Sequence, residues 1–323
     1  MAVLSDAPLP ELVGLTQLNA SDLDSLFADE IDCWQRRFAW DFRPSADLLR
    51  RFVQLHSLCG CALRHGKEAV GYAYYVCEGH KGLIGDFYVR PEYATSTCET
   101  FLLGGVVEQL MRTPGIRRIE SQLMMFRPCY GSPPLPFGRN LKRHDRNFMQ
   151  ISSGVAARLL PAVPAFRVRF VPWAERHLEE MARVVAASYR GHVDSDINDQ
   201  YRNIPGARMF LSNIIRYPGC GQFSSDCSVL AVDAATRRVT GLCLASHVSA
   251  TSGHVTQLCV LPALRGTKLG YELLRQTLMR LAGSGCTSVS LTVTCTNTGA
   301  IRLYESMGFG SHATFPALVW EGF

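Results

Sequence analysis

The chain has 323 residues, 47% of them apolar and 19% charged, and its 33 Lys and Arg outnumber 28 Asp and Glu for a net charge of +5. This length accommodates two ordinary domains, each able to bury its own core, and so mild a charge calls for neither nucleic acid nor an anionic membrane as partner. No apolar run reaches the ~18–20 residues that span a bilayer, and residues 1–8 lack a basic segment leading into an apolar one, so we expect no membrane anchor, no signal peptide and a cytoplasmic location.

In chain order, apolar periodicity predicts a first helix over residues 20–36. A strand carrying Cys59-Gly-Cys61 follows, and its period of two puts both thiols on one face, read as a core-lining pair. The other ten of the 12 cysteines stand singly, without C-x-x-C pairs or histidines at zinc spacing. They read as reduced, mostly buried thiols, with no disulfide framework and no metal site. Residues 146–151 read as the last strand of the first half, and residues 151–165, with Ser152-Ser153-Gly154, Pro161 and Pro164, as a linker. The second half opens with a helix over residues 174–189, followed by a hairpin of 228–232 and 240–248 around a turn at 234–238.

The two halves repeat each other at an offset of 170–171 residues. Gly71-Tyr72-Ala73 stands opposite Gly241-Leu242-Cys243, and Tyr88-Val89-Arg90-Pro91 opposite Cys259-Val260-Leu261-Pro262. Ile119-Glu120-Ser121-Gln122-Leu123 stands opposite Val289-Ser290-Leu291-Thr292-Val293. The expected domains are therefore 1–150 and 166–323, with 151–165 between them.

In the second half a strand through Leu258, Cys259 and Val260 runs into Pro262-Ala263-Leu264-Arg265-Gly266-Thr267-Lys268-Leu269-Gly270, and a helix begins near Leu269. Its apolar stripe is Leu273, Leu274, Leu278 and Leu281, with Glu272 on the outer side. A strand–loop–helix unit aims free N–H groups and the positive end of the helix dipole at one point, glycines permit close approach, and Arg265 and Lys268 add charge, so a pyrophosphate is the natural guest. A plain turn with two solvated cations is the alternative. Farther on, Ser288 to Thr294 alternates as a strand, and Asn297 caps a short helix whose inward face is Ala300, Leu303, Tyr304 and Met307. Gly308 suits the left-handed position after that helix.

Val260-x-Pro262-x-x-Arg265-Gly266-x-x-x-Gly270, followed by Asn297-x-x-Ala300-x-x-Leu303-Tyr304-x-x-x-Gly308-Phe309, resembles the GNAT superfamily of acyl-CoA-dependent N-acyltransferases over roughly residues 166–323. Lys268 departs from that pattern, standing where the family has glycine. The resemblance implies an α/β fold of two tandem GNAT-like domains, each a twisted mixed sheet flanked by helices. It implies acetyl-CoA as acyl donor, with the pantetheine arm paired to the backbone of Leu258, Cys259 and Val260. The pyrophosphate would lie on Arg265, Gly266, Thr267, Lys268, Leu269 and Gly270, and Asn297 and Tyr304 would face the thioester. It implies N-acetyl transfer to a primary amine by direct attack, with Tyr304 serving the leaving thiolate. His254 is the candidate base, with His247 or a water chain as alternatives. Asp194 and Asp196 lie where the family borders its acceptor site, although a solvated loop with helix caps is the simpler account of them.

The first half lacks both signals. Ala94, Thr97 and Glu99 stand where Arg265, Lys268 and Gly270 do, and the segment from Arg127 to Phe137, with Pro128, Pro133, Pro134 and Pro136, cannot be a regular helix. It reads as a degenerate GNAT-like copy without the coenzyme motif. The runner-up to an enzyme is a non-catalytic acyl-CoA-binding or regulatory protein. The basic segment of Arg139, Lys142, Arg143 and Arg146 is too short and too poor in aromatic residues for a nucleic-acid surface. The expected partner is a small-molecule or peptide amine, with no nucleic acid, no membrane, and a monomeric or homodimeric chain.

Overall fold

The computed structural model describes residues 10–126, 134–217 and 219–323. In the first half β1 (Glu11–Gly14), α1 (Ala20–Phe38), α2 (Arg43–Gln54), β2 (Cys59–His65), β3 (Glu68–Glu78), β4 (Lys81–Val89), α3 (Ser96–Arg112), β5 (Arg118–Gln122) and β6 (Leu141–Ser152) follow one another. The second half adds α4 (Ser153–Ala156), β7 (Val168–Pro172), α5 (Leu178–Ser188), α6 (Asp194–Ile197), α7 (Ile204–Arg216), β8 (Gln222–Phe223), β9 (Val229–Asp233) and β10 (Val239–Ser249). It closes with β11 (Ser252–Val260), α8 (Leu269–Gly283), β12 (Ser288–Thr294), α9 (Thr298–Ser306) and β13 (Gly310–Glu321). Among the described residues no helix is long and apolar enough to cross a membrane.

The chain divides into two compact units, but not at the expected linker. One unit takes the described residues up to Arg36, Phe42–His144 and Phe315–Phe323, and the other takes Arg37–Asp41 and Asp145–Thr314. In the first unit the strand order is β1-β2-β3-β4-β5-β13, and in the second β6-β12-β11-β10-β9-β7, with β8 on β10. Residues Arg146 to Ser152 pair antiparallel with β12, and Ala317 to Glu321 with β5. Each unit is thus finished by a strand from the other half of the sequence. The boundaries expected at 150 and 166 are corrected accordingly, and the strand over 146–151 belongs to the second unit. An amphipathic pattern identifies a strand but not the sheet that receives it.

The repeat holds in the geometry. In both units the fourth and fifth strands of the motif are parallel, β4 with β5 and β11 with β12, while their neighbours are antiparallel. Both units cover this region with a helix packed by aliphatic residues. Leu102, Leu103, Val106, Val107 and Leu110 of α3 are fully buried, as are Leu269, Leu273, Leu274, Leu278 and Leu281 of α8. Each such side chain contributes roughly 1.5–3 kcal/mol by leaving water. Close approach demands glycine beneath each helix. A Cβ on Gly82 would come within 2.3 Å of Leu110, and one on Gly253 within 2.9 Å of Leu281.

The expected linker is structured. Tyr271 donates its hydroxyl to the Leu160 carbonyl at 2.9 Å, and Glu272 accepts from the Ala162 N–H at 3.0 Å. Residues 160–165 therefore strap the start of α8, and Glu272, expected on the outer face, is buried beneath them. Of the C-x-C pair only Cys61 is buried; Cys59, at the head of β2, is exposed.

Candidate active site

The second unit's sheet splits at a bulge. Gln257 faces Leu244 and Val255 faces Ala245, which leaves Thr256 as the extra residue of β11. Parallel pairing of β11 with β12 runs only from Ser252 to Val255. Beyond it the strands part, and a cavity of about 1100 Å³ opens between them. One edge of β11 is unpaired there. The Leu261 N–H donates to Thr240 O at 2.9 Å, so by antiparallel alternation Cys259 also faces β10, while Leu258 and Val260 turn their N–H and C=O to the opening. Cys259 cannot pair with a pantetheine arm, and that expectation is corrected. The Val260 carbonyl already accepts the Ser188 hydroxyl at 2.8 Å.

The cavity reaches the loop before α8, where Leu264, Arg265, Gly266, Lys268 and Gly270 line it. Gly266 has φ +77° and Lys268 φ +66°. Lys268 therefore holds the left-handed conformation expected of glycine, at a cost of roughly 1–2 kcal/mol. Its side chain does not cap α8. Among the described residues nothing accepts from the N–H groups of Gly266, Thr267 and Lys268, and the first turn of α8 adds free N–H groups behind them. These are the requirements of an anion cradle. Arg265 does less there than its charge suggests, because its guanidinium donates to the Ser188 carbonyl at 2.6 Å and ties the loop to the end of α5.

Tyr304 lies at the other side of the opening, on α9, which Asn297 starts by accepting from the Ala300 N–H at 3.2 Å. The Tyr304 ring is buried and lines the cavity. Among the described residues no group hydrogen-bonds its hydroxyl. Burial, then the nearby Cys243 and Asp194, push its pKa well above that of a free tyrosine, so the hydroxyl stays protonated. The cavity continues over the face of β11 that packs under α5 and α7. There Tyr189 and Tyr201 stack at 4.2 Å, and Gln257 donates to the Tyr189 hydroxyl at 2.6 Å. His192, Asp194 and Arg146 complete this end.

A family profile described as the Acetyltransferase (GNAT) family matches residues 206–309. The fold agrees. A GCN5-related N-acetyltransferase from Sphaerobacter thermophilus is 16% identical with a TM-score of 0.64, over 97% of either chain. A tandem GNAT protein from the clavulanic acid biosynthesis pathway is 17% identical with a TM-score of 0.61, over 97% of this chain and 98% of that one. A glucosamine N-acetyltransferase region of a fungal multi-domain GH3 β-N-acetylglucosaminidase is 16% identical with a TM-score of 0.59, over 98% of this chain and 38% of that one. No curated protein matches the sequence. Residues 206–309 thus resemble the GNAT family, and the whole chain shares the fold of tandem GNAT proteins. Its fold is the tandem α/β arrangement.

Two expected residues are misplaced relative to this cavity. His254 is buried against Trp40, at a ring separation of 4.9 Å, and its Nδ1 lies 2.9 Å from Ser290 Oγ. It does not line the cavity, and burial with the nearby Arg146 charge lowers its pKa to about 3. It cannot be the base. The alternative His247 lies outside the cavity too, with Nδ1 3.4 Å from Cys286 Sγ. Asp196 is exposed and 4.0 Å from Arg202, so only Asp194 of the two acidic candidates reaches the cavity. Its Oδ1 accepts the Thr294 hydroxyl.

The imidazole that does line the cavity is His192, which sequence reasoning passed over. Its Nδ1 accepts the Asp194 N–H at 3.1 Å, and its Nε2 lies 3.2 Å from Asn297 Nδ2. Its position just after α5 and two residues before Asp194 was the available signal. Among the described residues no group of three or more His, Cys, Asp or Glu is placed to hold a metal ion.

The first unit keeps the bulge and fills the site. Tyr74 faces Asp86 and Tyr75 faces Ile84, so Gly85 is its extra residue. Phe87, at the place of Leu258, is buried against Phe126 at 5.3 Å. The N–H of Cys98 at the start of α3 is taken by Thr95 Oγ1, and Glu99 is buried where Gly270 stands. Asp86, at the place of Gln257, is enclosed with Glu30 and Tyr72, whose hydroxyl donates to Glu30 at 2.7 Å. Residues 127–133 of the segment read as non-helical lie outside the described residues.

Proposed function

We propose that the chain is an acetyl-CoA-dependent N-acetyltransferase, acting on a primary amine by direct attack, with all of the chemistry in the second unit. The observation that carries this reading is the unpaired edge of Leu258 and Val260, running from an anion cradle with free N–H groups to an unpartnered tyrosine hydroxyl. A pantetheine arm fits that edge as an added strand does. The phosphates fit the N–H groups of Gly266, Thr267 and Lys268, with the Lys268 charge beside them. The first unit is a degenerate copy that binds no coenzyme, because Thr95, Glu99 and Phe87 occupy the equivalent places.

Transfer needs a donor to the carbonyl oxygen, and the free N–H groups of the β11 edge supply one. It needs a neutral amine, although a lysine-like amine has a pKa of ~10.4. His192 takes that proton on Nδ1, giving up the bond it accepts from the Asp194 N–H, and the Asp194 carboxylate 3.9 Å away then offsets the imidazolium charge. It also needs help for the departing thiolate. Full proton transfer from a free tyrosine to a thiolate is uphill by about 2 kcal/mol, and burial of Tyr304 makes it more so. Tyr304 therefore acts by donating a hydrogen bond as charge builds on sulfur. The acceptor is a small or peptide amine.

Calorimetry with acetyl-CoA, paired with thiol release on a panel of amines, tests this reading. One coenzyme per chain and amine-dependent release are expected. Binding without release on any amine leaves a non-catalytic acyl-CoA-binding protein, and two coenzymes per chain would refute a single site.

A further inference from the structure

Arg146 is a buried cation with no anion beside it among the described residues. It stands on β6 opposite Thr294, with a relative exposure of 9%, and it lines the cavity. One guanidinium nitrogen donates to Thr292, at 3.2 Å to Oγ1 and 3.5 Å to the carbonyl. Nε is buried without a hydrogen-bond partner. Among the described residues no carboxylate comes within 4.0 Å of it. A guanidinium cannot shed its proton, and leaving it in low dielectric without a counter-charge is costly. The counter-charge must then come with a ligand.

The coenzyme does not supply it if it binds as proposed, since its phosphates lie on the loop before α8. The neighbours of Arg146 indicate what does. Asp194, Tyr201, Gln257 and His192 line the same cavity, and the charges of Arg146 and Asp194 both act on Tyr201 and Tyr304. One fixed cation and one fixed anion thus flank the tyrosine where transfer would occur. Arg presents a planar fork that matches a carboxylate.

We propose that the acceptor is a small amine that also bears a carboxylate, an amino acid or a close relative, with the carboxylate held by Arg146 and the amine directed to His192 and Asp194. This deepens the N-acetyltransferase reading and rests on it. An amine without the second charge leaves Arg146 unpaired, and sites built for a polar partner reject analogues that lack it.

The test compares amino acids with their carboxamides and with the corresponding decarboxylated amines, by thiol release from acetyl-CoA. The carboxylates are expected to be better by about 100-fold or more in kcat/KM. Arg146→Gln should remove that preference, mainly through KM, with coenzyme affinity unchanged, and Arg146→Lys should restore part of it. Because the charge is unpaired without ligand, Arg146→Gln is expected to melt no lower than wild type. A loss of many degrees, carboxamides acetylated as well as acids, or an unaltered preference in Arg146→Gln would overturn the proposal. If no amine is acetylated, the acyltransfer reading fails by itself. Equilibrium dialysis of the same acid and carboxamide pairs, with coenzyme A present, then decides the Arg146 proposal, which stands if the acids bind in an Arg146-dependent way and falls if they do not.

Discussion

Asn297 Nδ2 lies 3.2 Å from His192 Nε2, while Oδ1 of the same amide accepts the Ala300 N–H that begins α9. One side chain therefore both begins the helix that carries Tyr304 and contacts the ring that lines the cavity. Asn297→Ala should cost about 1 kcal/mol through the lost cap and should lower kcat as the imidazole loses its orientation. Asn297→Asp keeps the cap and tests the second role alone. His192→Ala should reduce kcat by about 10²–10⁴-fold with little change in acetyl-CoA affinity. It should also move the pH–rate profile upward, because only free amine would then react. Steady-state kinetics from pH 6 to 10 beside calorimetry checks this, and an unchanged profile would remove His192 from the mechanism.

Tyr304 offers a separate test by pH. Burial raises its pKa above the ordinary value, so its hydroxyl remains a donor as pH rises through 10. No alkaline fall in kcat below about pH 10 is therefore expected from this group. Tyr304→Phe should lower kcat by about tenfold or more and change coenzyme affinity less than twofold. Equal turnover in the two proteins would show that the hydroxyl has no part in the reaction.

What the sequence disclosed follows from how local each signal is. The cradle before α8 and the helix of Asn297 and Tyr304 are contiguous motifs, and their elements appear where periodicity placed them. The bulge at Thr256 carries no mark in composition, so the alternation that frees Leu258 and Val260 but commits Cys259 could not be read. His254 stood as the candidate base because neither Trp40 nor Phe148, which enclose it, is near it in sequence. The destination of the strand through Arg146 depends on which sheet edge accepts it, a long-range pairing. For that reason Arg146 reads as part of a basic segment, and it is instead buried and lines the cavity.

Lys268 combines a strained backbone with a useful charge, and two substitutions separate them. Lys268→Gly relieves the left-handed strain of φ +66° but gives the unfolded chain more freedom. Its stability should match wild type or exceed it by up to about 1 kcal/mol. Lys268→Ala keeps the strain and gains nothing. Both remove the charge, so both should weaken acetyl-CoA binding by a similar factor, roughly three- to tenfold at low salt and less at high salt. Affinities that differ widely between the two variants would mean that loop shape, rather than charge, limits binding.

The first unit should show a pH dependence of its own. Burial raises the pKa of Asp86 to about 6, and burial with the Asp86 charge raises that of Glu30 beside it. A carboxyl whose folded pKa lies above its unfolded value of about 3.9 favours the fold most at low pH, and that contribution is lost as pH rises through the folded pKa. Stability of the first unit should therefore fall by a few kcal/mol between about pH 4 and pH 7. This is opposite in sign to the acid lability of salt-bridged carboxylates. Asp86→Asn removes one of the two titrating groups and the repulsion on Glu30, so its slope over the same range should be shallower. Hydrogen exchange of the α1 and β4 amides, followed across that range in the intact chain, reads the effect locally. Parallel pH profiles for the two proteins would show that Asp86 does not titrate in the folded state.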